Sequence, residues 1–346
     1  MVIAGLFVIL ISVLFLPFLV KKVEEELEIF LFIMGCIGLT ITSQWSIPLV
    51  GEALIEPVKI TLTVFIAGFL FRVFQSPIAH SVNKIADAIG VKLFSFMAIV
   101  ILGFLSSAIT AIIAALVLVE IVTHLELDRK NEILLVILAC FSIGLGAALT
   151  PIGEPLSTIA IAKLKGTPYH AGFFFLCRHL WLFIIPGVLV FGLLGAIVIP
   201  GKRKKAGGLT QAKEENIKDI SIRTVKVYLF IMALIFLGRA FRPIVDTYIS
   251  RMPYQGLYWL NMISAIVDNA TLTAAEIGPS MGLLQIKSAL LGLLIAGGML
   301  IPGNIPNIIS AGKLRIKSSE WAKFGVPLGL IVMTVSFFFL MLIRTP

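Results

Sequence analysis

The sequence predicts an all-α polytopic membrane protein of two inverted halves, each carrying one re-entrant hairpin and one broken helix. Three observations predict that class. Of 346 residues, 59% are hydrophobic and 14% charged, with a mean hydropathy of +1.05; a soluble domain needs many more charges to cover its surface. Uncharged runs recur at residues 2–20, 29–51, 93–119, 133–153, 180–201, 288–312 and 324–343, and about 20 apolar residues cross a bilayer core as a helix. Finally, the same short patterns recur in the same order on either side of one polar loop.

The opening stretch, MVIAGLFVILISVLFLPFLVKK, has neither a basic n-region nor an A-x-A-like cleavage site, so it reads as a first membrane helix rather than a signal peptide. Residues 1–56 are expected to form N-terminal membrane helices, 57–200 a first inverted repeat, 201–223 a cytoplasmic linker and 224–346 a second repeat. Residues 201–226 hold eight Lys or Arg, which the positive-inside rule places in the cytoplasm. The net charge of +9 therefore reports topology rather than a nucleic-acid partner. Cys36, Cys140 and Cys177 all lie in apolar spans without metal-ligand spacing and read as small core residues.

Three matches support the repeat. VKITLTVFIAGFLFRVFQSPI from Val58 resembles VKVYLFIMALIFLGRAFRPI from Val225, with Arg72 and Arg239 each 13 residues after the Lys. SAIT at Ser107 matches SAIV at Ser264, and GEPLSTIAIAKLK from Gly153 matches GNIPNIISAGKLR from Gly303; the offsets are 167, 157 and 150 residues. Internal repeats are common in secondary transporters. With 201–226 inside, 123–132 and 313–323 also fall inside and 163–169 outside, so matched segments face opposite ways. Residues 91–122 would be roughly 48 Å long as one helix. Like 256–283, they are expected to enter and return on one side, buried in protein because lipid cannot satisfy irregular backbone.

Four stretches carry chemistry. SSAITAI (106–112) and SAIVDNATLT (264–273) fall in the hairpins, and LTPIGEPLST (149–158) and IPGNIPN (301–307) fall midway along two long spans. Proline removes a helix hydrogen bond and glycine admits unusual dihedrals. Such interruptions at matching positions of two halves point to a transporter binding site. A mid-membrane carboxylate costs roughly 2.5–3.5 kcal/mol on insertion scales and is usually functional, which singles out Asp268. Asn269, Thr271 and Thr273 add oxygen ligands suited to a hard cation, and Ser264 joins the cation/proton-binding set; Asp268, Asn269 and Asn304 are the candidate Na⁺ ligands. Glu154, Thr150, Gly153, Ser157, Gly303, Asn304 and Asn307 line the breaks, and Ser107 and Thr110 are the polar groups of the first hairpin. Thr150, Ser157, Thr158, Asn304 and Asn307 also suit capping of broken helix ends. Arg178 and His179 read either as counter-charges or as a structural pair, Glu120 and His124 as hairpin-edge residues, and Arg72, Arg239 and Arg242 as snorkelling. Glu276 reads equally as a solvated hairpin end and as a functional group.

GAALTPIGEPLSTIA resembles the Gly-Gly-Thr-x-Thr-x-Ile-Gly-x-Pro-x-Asn stretch of the ion transporter superfamily. That group includes NhaD-type sodium/proton antiporters, arsenite permeases and sodium-coupled carboxylate transporters. SAIVDNATLT is similar to the Asp-Asn-hydroxyl stretch of those antiporters, and the likeness is greatest to prokaryotic predicted cation transporters of the group. The resemblance implies two hairpins, two broken helices, a homodimer with elevator-like movement, a prokaryotic plasma (inner) membrane location, and transported Na⁺ and H⁺ as ligands without a cofactor. Ser157 stands where Asn is usual, and the Asp-Asn pair of the first hairpin is expected at Ala111 and Ile112.

The class expected is therefore a monovalent cation/proton antiporter in the lipid bilayer. The alternative is a sodium-coupled anion carrier using the helix N-termini after Gly153 and Gly303. An intramembrane aspartyl protease needs two membrane aspartates, where only Asp268 qualifies. No His-Glu-x-x-His or Gly-x-Ser-x-Gly motif is present, so no enzyme activity is expected.

Overall fold

The computed structural model describes residues 2–20, 22–23, 26–201, 217–244, 252–267 and 269–343, and every regular element among them is helical. Among the described residues, five helices are long and apolar enough to cross a membrane: Val91–Ile109, Arg129–Ala147, Phe175–Val198, Thr224–Pro243 and Ser318–Leu342. An all-α membrane protein is what these elements define.

The uncharged run 29–51 is not one span. Helix α1 is Val2–Leu19; α2, Leu27–Thr42, stops where Ser43 turns left-handed at φ 52°. The next helix, α3, Ile47–Ile89, starts on Ser46, whose side chain accepts from Leu49 N at 3.3 Å, with Pro48 in the first turn. Pro is tolerated there because the first N–H groups have no intrahelical partner. The boundary expected at 56/57 thus falls inside a 43-residue helix, and α9, Ile217–Ile244, begins within the expected linker.

Helices α4 (Val91–Ile109) and α5 (Ala111–His124) are separated by Thr110 alone, followed by α6 (Arg129–Ala147). Contacts at Ile99–Ser142 and Ser106–Ile143 show α4 and α6 running parallel, so α5 must bring the chain back to the end from which α4 left. At that end Glu120 pairs with Lys313, and Arg129 donates to the carbonyls of Leu314 (2.9 Å) and Arg315 (2.8 Å) and to Glu320 (3.1 Å). After the break come α7 (Pro155–Lys163) and α8 (Phe175–Val198), the latter antiparallel to α4 and α6.

The second half follows the same plan. Helix α10 (Tyr254–Leu260) continues as a 3₁₀ turn, Asn261–Ala265, and then α11 (Asn269–Glu276), α12 (Leu283–Ala296), α13 (Ile305–Leu314) and α14 (Ser318–Leu342). Gln285 donates to Met252 O (3.1 Å), Asn261 to Ala289 O (3.1 Å) and Ser264 to Leu293 O (2.9 Å). The first limb is therefore parallel to α12, and α11 returns. Tyr169 Oη donates to Met281 O, joining the two loops at the far end from the Arg129 cluster. The halves exchange their short helices: α5 packs on α13, and α11 on α7.

The α4–α6 contact is close because it is made of small residues. A Cβ added at Gly146 would collide with the Gly103 carbonyl, whereas one at Gly51 would meet nothing within 4 Å. Gly146→Ala is expected to lose about 1–3 kcal/mol by overpacking and Gly51→Ala to lose none, read as melting of the detergent-solubilised protein.

Candidate functional site

Both long spans are interrupted, and the two interruptions are built alike. In the first, Ala148 N bonds Leu145 O (3.2 Å), Leu149 N bonds Gly146 O (3.1 Å) and Gly153 N bonds Thr150 O (3.3 Å). The second repeats these bonds 150 residues later: Gly298 to Ile295 (3.2 Å), Met299 to Ala296 (2.9 Å) and Gly303 to Leu300 (3.3 Å). The N-cap residues that restart the helices have nearly the same backbone, Glu154 at φ −155°, ψ 158° and Asn304 at φ −154°, ψ 146°. Pro155 and Pro306 occupy the first turns. Gly153 and Gly303 precede the caps, and a side chain at either would strike the carbonyl of Ala147 or of Gly297. These are the Gly and Pro positions that the sequence singles out.

Each interruption docks on the break of the adjacent helix pair. Thr150 Oγ1 donates to Ser107 O (2.5 Å), and Ala111 N to Gly153 O (2.8 Å). Thr110, between them, takes φ 78°, ψ 149°, a region that β-branched residues rarely occupy, and its hydroxyl accepts from Ile113 N (3.4 Å). In the second half, a Cβ on Gly303 would lie 2.8 Å from Ser264 O, and one on Gly297 would lie 3.6 Å from Asn269 Nδ2. Asp268 and the Thr271 side chain lie outside the described residues.

Residues predicted from sequence therefore gather in two groups: Ser107, Thr110, Thr150 and Gly153 in one, Ser264, Asn269, Gly303 and Asn307 in the other. Helix α6 connects them. A Cβ on its Gly144 would lie 3.0 Å from Asn304 Nδ2, and its Cys140 Sγ reaches Ser310 Oγ at 3.5 Å. The second break thus rests on the last two turns before the first.

The equivalent contacts correct the register of the hairpins. Ser106, which donates to Ile143 O (3.0 Å), corresponds to Ser264, which donates to Leu293 O (2.9 Å). Ser107 instead bonds its own turn at Phe104 O (2.7 Å). The offset is 158 residues rather than 157, and α5 and α11 begin at that same offset. The positions of Asp268 and Asn269 in the first half are thus held by Thr110 and Ala111, not by Ala111 and Ile112.

Capping falls to particular residues only. Asn307 Nδ2 donates to Gly297 O (2.8 Å), the carbonyl of the residue that caps α12, and to Leu300 O (2.9 Å) within the break. Trp321, fully buried, donates to Gly298 O (3.1 Å); nothing in the sequence reading marked it. Thr158 bonds Pro151 O (2.5 Å). Neither Glu154 nor Asn304 caps its own helix through its side chain, and both are 5% exposed. Ser157 Oγ, Asn307 Oδ1 and Asn269 Nδ2 are buried without a hydrogen-bond partner.

Elsewhere, Arg178 is exposed, and His179 lies 4.5 Å from the Phe175 ring. Glu276 is buried at 5% exposure rather than solvated, accepting from Asn261 Nδ2 at 2.9 Å. His124 Nδ1 bonds Glu120 O (2.8 Å).

A helical membrane protein with two matched, interlocked helix breaks is the class that fold and site define. The chain belongs to the family described as "Protein of unknown function (DUF1646)", whose profile matches residues 3–343. No curated protein matches it.

The orphan and satisfied atoms separate two kinds of polar residue. Asn307→Ala strands the buried Gly297 carbonyl, leaves Leu300 O with the Gly303 N–H alone, and is expected to cost about 1–3 kcal/mol. Ser157→Ala removes an unbonded hydroxyl and should change melting by less than about 0.5 kcal/mol. A ranking of the two variants by thermal unfolding checks this.

Proposed function

We propose that the chain is a secondary transporter of inverted-repeat architecture that exchanges a monovalent cation, Na⁺ first among them, for protons by alternating access. The observation that carries the proposal is the pair of matched breaks, each docked on the break of a neighbouring helix pair. Repeated backbone bonds and caps at one offset support an internal repeat. Parallel first limbs that return at opposite ends of the bundle support its inversion and the re-entrant course of both pairs. Ser157 and Asn307 oxygens, buried and unbonded, suit a desolvated hard cation. Glu154, at the restart of α7, adds a carboxylate.

Asp268 precedes Asn269 at the start of α11, where the first half has Thr110. A single carboxylate that holds either a cation or a proton makes their occupancies exclusive, which is the minimal requirement for exchange. Asn269 and the broken ends around Gly303 and Asn307 assist it.

The test is cation-dependent dissipation of a pH gradient in proteoliposomes, across a panel of monovalent cations. Wild type is expected to exchange; Asp268→Asn should fold and insert but lose exchange entirely. Glu154→Gln should match that loss if Glu154 is a direct ligand and fall short of it if Glu154 shapes the break. Wild-type rates in Asp268→Asn would make the aspartate structural and the mechanism wrong. Sodium-driven anion uptake without proton movement would assign the carrier to the anion class instead.

A further inference from the structure

The second helix pair holds two buried polar residues, Asn261 and Glu276, that the exchange site leaves unused. Helix α11 carries Asn269, Thr273 and Glu276 on one face at i, i+4 and i+7, exposed by 3%, 0% and 5%. The limb before it presents Asn261 and Ser264, three apart in a 3₁₀ turn, where such residues eclipse. Asn261 Nδ2 donates to Glu276 Oε2 (2.9 Å) and to Ala289 O (3.1 Å), so both amide hydrogens are engaged. Glu276 Oε1 and Asn261 Oδ1 are both buried and without a partner.

Packing does not demand this pair. At the offset of 158 residues, the first helix pair has Gly103, Ala111, Ala115 and Leu118 where the second has Asn261, Asn269, Thr273 and Glu276. At these four positions the frame is thus built once from apolar residues alone.

An ionised Glu276 would be a buried charge held by one hydrogen bond, and such charges need pairing. Among described side chains of the elements packed on α11, α7 carries Lys163, with Glu154 at its N-cap. Helix α9 carries Lys218, Lys226, Arg239 and Arg242, and α12 carries Lys287. The limb before α11 adds Tyr254 and Tyr258. Lys226 pairs with Glu26 (3.2 Å) and Glu28 (3.5 Å), and none of these cations forms an ion pair with Glu276.

We propose that Glu276 and Asn261 form a second proton-binding site, in which the neutral acid donates its Oε1–H to Asn261 Oδ1 while Asn261 Nδ2 donates to Oε2. This ring of two hydrogen bonds satisfies both orphan oxygens with one proton. A bound Na⁺ would need several more oxygens than these two. The proton comes from water at the end of the bundle where Met281 meets Tyr169, beyond the last turn of α11. The site depends on this pair alone, and it stands whatever the chain transports.

Infrared difference spectroscopy on the full chain in lipid, during a pH change and with ¹³C-labelled glutamate, tests it. A protonated-carboxyl C=O band sensitive to the label is expected in wild type. Glu276→Gln should lose that band, and Asn261→Leu should shift it to higher frequency, because the acid loses its acceptor. Loss of carboxylate bands instead of the acid band in Glu276→Gln would show an ionised group and overturn the proposal. An acid band unchanged in both variants would also overturn it. If Glu276→Gln fails to fold, the labelled Asn261→Leu spectrum decides by the same shift.

Discussion

Everything in this structure depends on one constraint: a helix interrupted inside an apolar bundle must find partners for its freed backbone groups without water. Two interruptions lie in the core of this chain, and each is closed by a different part of the molecule. The first is tied to the α4–α5 break through Thr150 and Gly153. The second is closed by Asn307 and by Trp321 from α14. Glycine at 153 and 303 lets the carbonyls of the preceding turn approach closely enough for these bonds to form. Remove the closures, and the breaks become unsatisfied polar backbone in the least tolerant part of the protein.

The two helix breaks share one geometry with different contents in the two halves. Their break geometries coincide at one offset, down to the cap dihedrals of Glu154 and Asn304. Their side chains diverge at the points where polarity matters: Thr110 against Asp268, Leu118 against Glu276, Gly103 against Asn261. Buried titratable groups occur in both halves, Glu120, Glu132 and Glu154 in the first and Glu276 in the second, and both use close glycine contacts, at Gly103 and Gly146 and at Gly292 and Gly303.

Much of this was legible in the sequence, for identifiable reasons. Pro155, Pro306, Gly153 and Gly303 act locally, through a missing N–H or a missing Cβ, so their effect on a helix reads directly from the chain. The run 29–51 misled because Ser43 to Ser46 carry no charge; a turn capped by hydroxyls is invisible to a count of charges. The hairpin register slipped by one because Ser106 and Ser107 are chemically identical, and only the contact with Ile143 distinguishes them. Trp321 and the Asn261–Glu276 pair could not be read, since their roles depend on which helices meet. The nearest signal was Glu276 at the end of α11, and it pointed equally to a solvated end.

The exchange of short helices between the halves also affects how the chain is made. Helix α7 emerges from the ribosome long before α11 exists to cover it, and α5 long before α13. A newly inserted first half therefore holds its broken helix without the neighbour that finally shields it. Membrane insertion and completion of the core are separate events for this protein, divided by the synthesis of more than a hundred residues. Each half receives from the other the short helix that packs against its own.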